Sequence, residues 1–166
     1  MAIRDALLPE FDHEMGTTRK LLERVPDDTL AWKPHARSMT LGRLATHLAE
    51  LPAWAQTVIR DGFFDIKPGE YAPRALGARA EILALFDQNV TAARALIASM
   101  GDGEMMATWT LRSEGHDVFT LPKAAALRSF LMNHLIHHRG QLSVFLRLRD
   151  VPIPPIYGPS ADEGRR

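Results

Sequence analysis

Three of the chain's seven histidines, His134, His137 and His138, stand within one ten-residue stretch, NHLIHHRGQL at 133–142. Buried imidazoles in an otherwise apolar helix need partners for their ring nitrogens, so a stretch of this kind calls for a chemical reason. His134 and His138 are four residues apart, which on a helix sets their Cβ atoms about 5–6 Å from each other on one face. Two imidazoles so placed can share a metal ion. A third nitrogen is available from His47 in ATHLAEL, which lies between Leu44 and Leu51 on the same flank of its segment. Three neutral imidazoles at about 2.0–2.1 Å from a divalent ion, with its other positions open, form a catalytic type of site and not a closed structural one. Alone, a His-x-x-x-His pair is common, and a lone His47 is an ordinary core-edge residue; the combination carries the reading.

The remaining polar residues rank below these three. His137 neighbours His138, yet adjacent helical residues diverge by about 100°, so it belongs at the surface or behind the ligands. Glu50 lies one turn beyond His47 and is a candidate general base by proximity, set against the commoner role of an outward, salt-bridged carboxylate. His13, between Asp12 and Glu14, could bring a donor near the pocket but reads better as part of an exposed face. His35 and His116 fall in loops. Trp54 and Trp109 suit the core or a pocket wall.

Four amphipathic segments must position this set. From Ile3 to Val25, Leu7, Leu8, Phe11, Met15, Leu21, Leu22 and Val25 recur at steps of three and four, the signature of one buried helix stripe closed by Pro26. A structured loop follows, with Trp32 packing back on the core, and Thr40 is the N-cap of a second helix from Leu41 to about Ile59, kinked at Pro52. FFDIKPGEYAP reads as a loop. A third helix spans about Leu76 to Met100 and stops at Gly101 and Gly103. Two β-prone runs around Trp109 and Phe119, separated by Ser113, Glu114 and Gly115, form a short hairpin or extended loop. The fourth helix runs from near Pro122 to about Arg149, roughly 40 Å. On it Leu127, Leu131, Leu142, Phe145 and Arg149 share one direction with His134, His138 and Gln141. The expected fold is all-α, an antiparallel four-helix bundle with a proline-rich tail, in a single domain over 1–166.

Composition narrows the function classes. Twenty basic residues balance twenty acidic ones, so the chain lacks the positive footprint of a nucleic-acid binder. No window approaches the ~18 apolar residues of a membrane span. The acidic N-terminal stretch MAIRDALLPEFDHEM is unlike a secretory signal, which makes the cytoplasm the expected location. With no cysteine, any metal must be held by His, Asp or Glu.

Three stretches, LAWKPHARSMTLGRLATHLAELPAW at 30–54, HLIHHRGQLSVFLRL at 134–148 and the tail VPIPPIYGPSADE, resemble the DinB-like or YfiT-like metal-binding four-helix bundles over nearly the whole chain. These bundles are unrelated in fold to the polymerase that shares the DinB name. The His-x-x-x-His-Arg-Gly-Gln motif is the most specific mark. The resemblance implies a metal site from one histidine of the second helix and two of the fourth, which map onto His47, His134 and His138. It places Gln141 near the site or its solvent, makes Arg139 an anchor of a helix end or a dimer contact, and makes Gly140 a point of close helix approach. It further implies a homodimer, and activity of the kind found in thiol-dependent S-transferases and isomerases that use low-molecular-weight thiols such as bacillithiol or mycothiol.

Three functions stay open on this reading. One is a metal-dependent thiol transferase, or alternatively a hydrolase, acting on a small molecule with zinc or nickel, though copper or iron would also suit three nitrogens. The second is a non-catalytic metal- or small-ligand-binding stress-response protein. The third is a scaffold whose histidines merely pack.

Overall fold

The computed structural model describes residues 1–69 and 73–163. Helix α1, Ile3–Leu22, buries Leu7, Phe11, Met15, Leu21 and Leu22 on one stripe, and Pro26 bars its continuation. The loop that follows returns Trp32 to the core edge, its ring edge-on to Phe145 at 5.8 Å. Thr40 caps α2, Leu41–Glu50, by accepting a hydrogen bond from the Arg43 amide at 3.1 Å. At Pro52 the chain tightens into a 3-10 turn, Leu51–Ala53, before α3, Trp54–Arg60. The expected kink is therefore present, and it is what turns Trp54 back toward His47.

Strand β1, Phe63–Ile66, stands where a loop was expected, while Glu70, Tyr71 and Ala72 of that stretch lie outside the described residues. The third long helix is α4, Arg79–Ser99, shorter at both ends than its apolar pattern suggested, and α5, Asp102–Met106, follows it. Strands β2, Thr108–Ser113, and β3, His116–Pro122, form an antiparallel hairpin, and β1 pairs with β2 in parallel, giving the order β1-β2-β3. Glu114 and Gly115 make the two-residue hairpin loop, both with positive φ, 52° and 79°. A right-handed sheet twist favours that turn geometry, and glycine adopts it without strain.

The all-α expectation is thus overturned: the described chain combines helices with a three-stranded mixed sheet. The physical reason lies in β1. Its Phe63 and Phe64 break the alternation that marks a strand, and its hydrogen bonds reach a partner strand far along the chain, as from Thr110 N–H to Gly62 O at 3.1 Å. No local pattern records such a pairing.

The last helical rod is likewise not uniform. It begins as α6, Lys123–Ala126, passes through a π-helical stretch, Leu127–Met132, and continues as α7, Asn133–Arg147. A wheel at constant pitch misplaces residues across such a widened turn. Arg149, assigned to the inward direction, lies past the end of α7 and is exposed. Asp150, at φ 57°, then closes α7: its amide bonds to Arg147 O and that of Val151 to Leu146 O. This is a Schellman ending with aspartate in the position glycine usually takes. No helix among the described residues is long and apolar enough to cross a membrane.

In the core, α1 and α2 pack on α4 and α7, and the sheet seals one end of the helical layer. Fully buried Trp109 of β2 rests against Phe130 at 5.1 Å between ring centroids. Phe130 in turn stacks on Trp54 at 4.7 Å. The sheet therefore presses an aromatic ladder toward the histidines.

Candidate metal centre

His47 of α2 and His134 and His138 of α7 meet between the two helices. Their ligand atoms all lie within 4.8 Å of one another. Nε2 of His134 is 2.8 Å from Nε2 of His138 and 3.4 Å from Nε2 of His47. Two nitrogens bound at about 2.0–2.1 Å to one ion, at tetrahedral or octahedral angles, are about 2.8–3.4 Å apart. His134 Nε2 thus already stands at the separations that a shared ion requires from both His138 and His47.

Each element contributes for a local reason. Leu44, Leu48 and Leu51 bury one flank of α2, which carries His47 inward to 7% exposure. His138 is 8% exposed beside buried Leu135 and Leu142, and His134, just after the π turn, is half-buried. Trp54 closes the wall, edge-on to His134 at 5.2 Å and to His47 at 6.0 Å.

Burial and mutual proximity keep these rings uncharged. His47 is lowered to about 3, mainly by desolvation and then by His138, His134 and Arg43. His134 is lowered to about 4 by desolvation and by His138 and His137, against a hydrogen bond to the Phe130 backbone that raises it. His138 is lowered by desolvation, with the bond to Gln141 opposing. A neutral imidazole offers one lone pair, which is the form a metal needs. His138 Nδ1 lies 2.7 Å from Gln141 Oε1; with Nδ1–H donating there, the Nε2 lone pair faces the cluster. Gln141 Nε2 lies 3.1 Å from His137 Nε2, so His137 stays exposed and supports Gln141 from outside the cluster.

The other sequence candidates are placed as follows. Glu50 Oε2 is 3.9 Å from His47 Nδ1 and 3.1 Å from Arg43 Nη1, while its Oε1 is 3.4 Å from Arg74 Nε. His13 is exposed and stacks on Tyr157 at 6.5 Å, outside the histidine cluster. His35 accepts from the Arg37 amide, and His116 opens β3, both exposed. A Cβ on Gly140 would meet nothing within 4 Å, so this glycine does not mediate a close helix approach. Arg139 is neither at a helix end nor at the surface. It is 1% exposed, 2.7 Å from Glu14 Oε2, and donates to Tyr157 OH at 2.6 Å, whose hydroxyl donates in turn to Glu14. Sequence reasoning missed this ion pair. The available signal was Glu14 itself, three residues from Phe11 and four from Thr18 on the apolar stripe of α1.

Beside the cluster opens a cleft of about 400 Å³, lined by Arg37, Ser38, Met39, Leu44, Gln141, Val144 and Phe145. Gln141 belongs to both, touching His138 on one side and the cleft on the other.

The α2/α7 cluster thus sets three histidines that could hold a metal ion on a helical framework. Residues 10–142 match the DinB superfamily, to which the chain belongs. It is similar to the uncharacterized protein YrdA of Bacillus subtilis, 27% identical over 159 residues that cover 96% of this chain and 90% of that protein. Among solved structures, a DinB-like protein from Bacillus cereus superposes with a TM-score of 0.73 at 22% identity, covering 92% of this chain and 97% of that one. The DinB-like protein YjoA of Bacillus subtilis gives 0.69 at 19% identity, covering 93% and 99%. These two likenesses show a shared fold.

Proposed function

We propose that the chain is a metal-dependent enzyme, a thiol transferase in type, in which His47, His134 and His138 hold one divalent ion, zinc or nickel. The carrying observation is the convergence of three neutral histidines, with His134 Nε2 at ligand-to-ligand separations from both of the others. A divalent ion held by three nitrogens supplies Lewis acidity, lowering the pKa of a thiol or water bound at an open position.

The chain's own residues favour a thiol over water as the nucleophile. Glu50, 3.9 Å from His47 Nδ1, is engaged by Arg43 and Arg74 and is poorly placed to collect a proton from water. A thiol, with an ordinary pKa near 8.5, needs far less help than water at 15.7. Gln141 orients His138, and Trp54 with Phe130 shields the cluster from solvent. Arg37 at the cleft offers a cation to an anionic group on the incoming molecule. The reading takes 1–166 as one domain acting as a cytoplasmic homodimer, which light scattering of the purified protein checks for its oligomeric part.

The decisive experiment is metal per chain, by elemental analysis of untagged wild type and His138→Ala. About one equivalent, lost in the variant, supports the centre and opens a screen of thiols against electrophiles. No metal in either, even after reloading with zinc or nickel, overturns the reading.

A further inference from the structure

One atom of the cluster is left incomplete. Nδ1 of His47 is buried and has no hydrogen-bond partner among the described residues. An imidazole that offers its Nε2 lone pair to an ion carries its proton on Nδ1, and a buried donor without an acceptor is unfavourable. The two α7 histidines do not share this defect. His138 Nδ1 meets Gln141 at 2.7 Å, and His134 bonds to the backbone of Phe130.

An acceptor stands close by. Glu50 is three residues along α2 from His47, on the same helical face, with Oε2 at 3.9 Å from Nδ1. That gap is beyond a hydrogen bond but within a small side-chain rotation. Arg43 and Arg74 grip the two carboxylate oxygens and hold the group at this position. We propose that Glu50 is a positioning residue of the metal centre: its carboxylate closes on His47 Nδ1–H when the ion binds. It thereby fixes the ring's orientation and offsets part of the ion's charge. The inference rests on the metal reading and adds a carboxylate–histidine–metal relay to it.

Glu50 could instead serve only to tie Arg74 to α2, and the test separates the two roles. Zinc affinity would be measured by competition with a chromophoric chelator for wild type, Glu50→Gln, Glu50→Ala and Arg74→Ala, alongside unfolding of each metal-free protein. Glu50→Ala should weaken zinc about 10–100-fold, with Glu50→Gln between it and wild type because an amide oxygen accepts without charge. Arg74→Ala, which breaks the same ion pair without touching His47, should keep wild-type affinity within about twofold. Should wild type bind one zinc and both Glu50 variants bind it equally tightly, the positioning role is overturned while the metal centre stands. Equal losses in Arg74→Ala and Glu50→Ala overturn it in favour of the structural tie. Should wild type bind no zinc, both proposals fall together.

Discussion

His138 and Arg139 are adjacent in the chain, yet they enter two buried polar clusters of opposite character. Arg139 meets Glu14, Thr18 and Tyr157, so a guanidinium, a carboxylate and two hydroxyls complete one another. His138 meets two more imidazoles, all three kept neutral by burial, with Arg43 close enough to disfavour the charged forms of His47 and His138 further. One cluster is saturated by the chain itself; the other is a set of donors without an acceptor. A helix turn of about 100° per residue makes both possible from consecutive positions. The lesson is that burial of polar groups marks a candidate ligand site only where the protein's own charges fail to balance.

The largest expected effect tests the saturated cluster. Arg139→Met should leave Glu14 buried without its cation and destabilise the fold by about 3–5 kcal/mol, read from urea midpoints. Metal per folded chain should not change, and a loss of both together would break the separation of the clusters. The histidine cluster should behave in reverse. His134→Ala should alter metal-free stability little but abolish the stabilisation that wild type gains from zinc, about 2.7 kcal/mol at a hundredfold excess over Kd. A zinc-induced rise in melting temperature that persists in the variant would place the ion elsewhere.

Acid sharpens the contrast. His47 and His134 titrate near 3 and 4 when folded, against an ordinary histidine value of 6.5. Between those limits the unfolded chain binds more protons, so metal-free stability should fall as pH drops below 6.5, by at most about 1.4 kcal/mol per pH unit for each imidazole. Asp162, lowered to about 2 chiefly by its bond to Arg147, loses its contribution mostly between 3.8 and that value, at the acid end of the range. Urea midpoints unchanged between pH 6.5 and 4.5 would contradict the neutral cluster. The smallest effect is in the saturated cluster again: Tyr157→Phe removes the hydroxyl that links Arg139 to Glu14 and should cost about 1 kcal/mol, with zinc affinity intact.

Much of the site is legible in the amino-acid sequence. The i, i+4 spacing of His134 and His138, and the flank shared by His47 with Leu44 and Leu51, are local helical facts, and the structure gathers the three into one cluster. Thr40 as a cap, the turn at Pro52 and the hairpin around Glu114–Gly115 are legible for the same reason, since each depends on a few neighbouring residues. The failures share the opposite cause. β1 exists through pairing with a distant strand, and the π turn carries Phe130 to a place between Trp54 and Trp109 that no local pattern marks. Gly140 faces open space although its motif suggested contact.

The amino-acid sequence by itself determined the helical stripes, their caps and stops, and which histidines share a face, because these follow from periodicity and short-range hydrogen bonding. Only the tertiary structure decided that a sheet supports the aromatic wall and that Arg139 is spent on Glu14 and Tyr157. It alone also brought His134 Nε2 to ligand separations from both His47 and His138. Each of those outcomes joins residues far apart in the chain, where the free energy lies in packing and desolvation and no local pattern carries it.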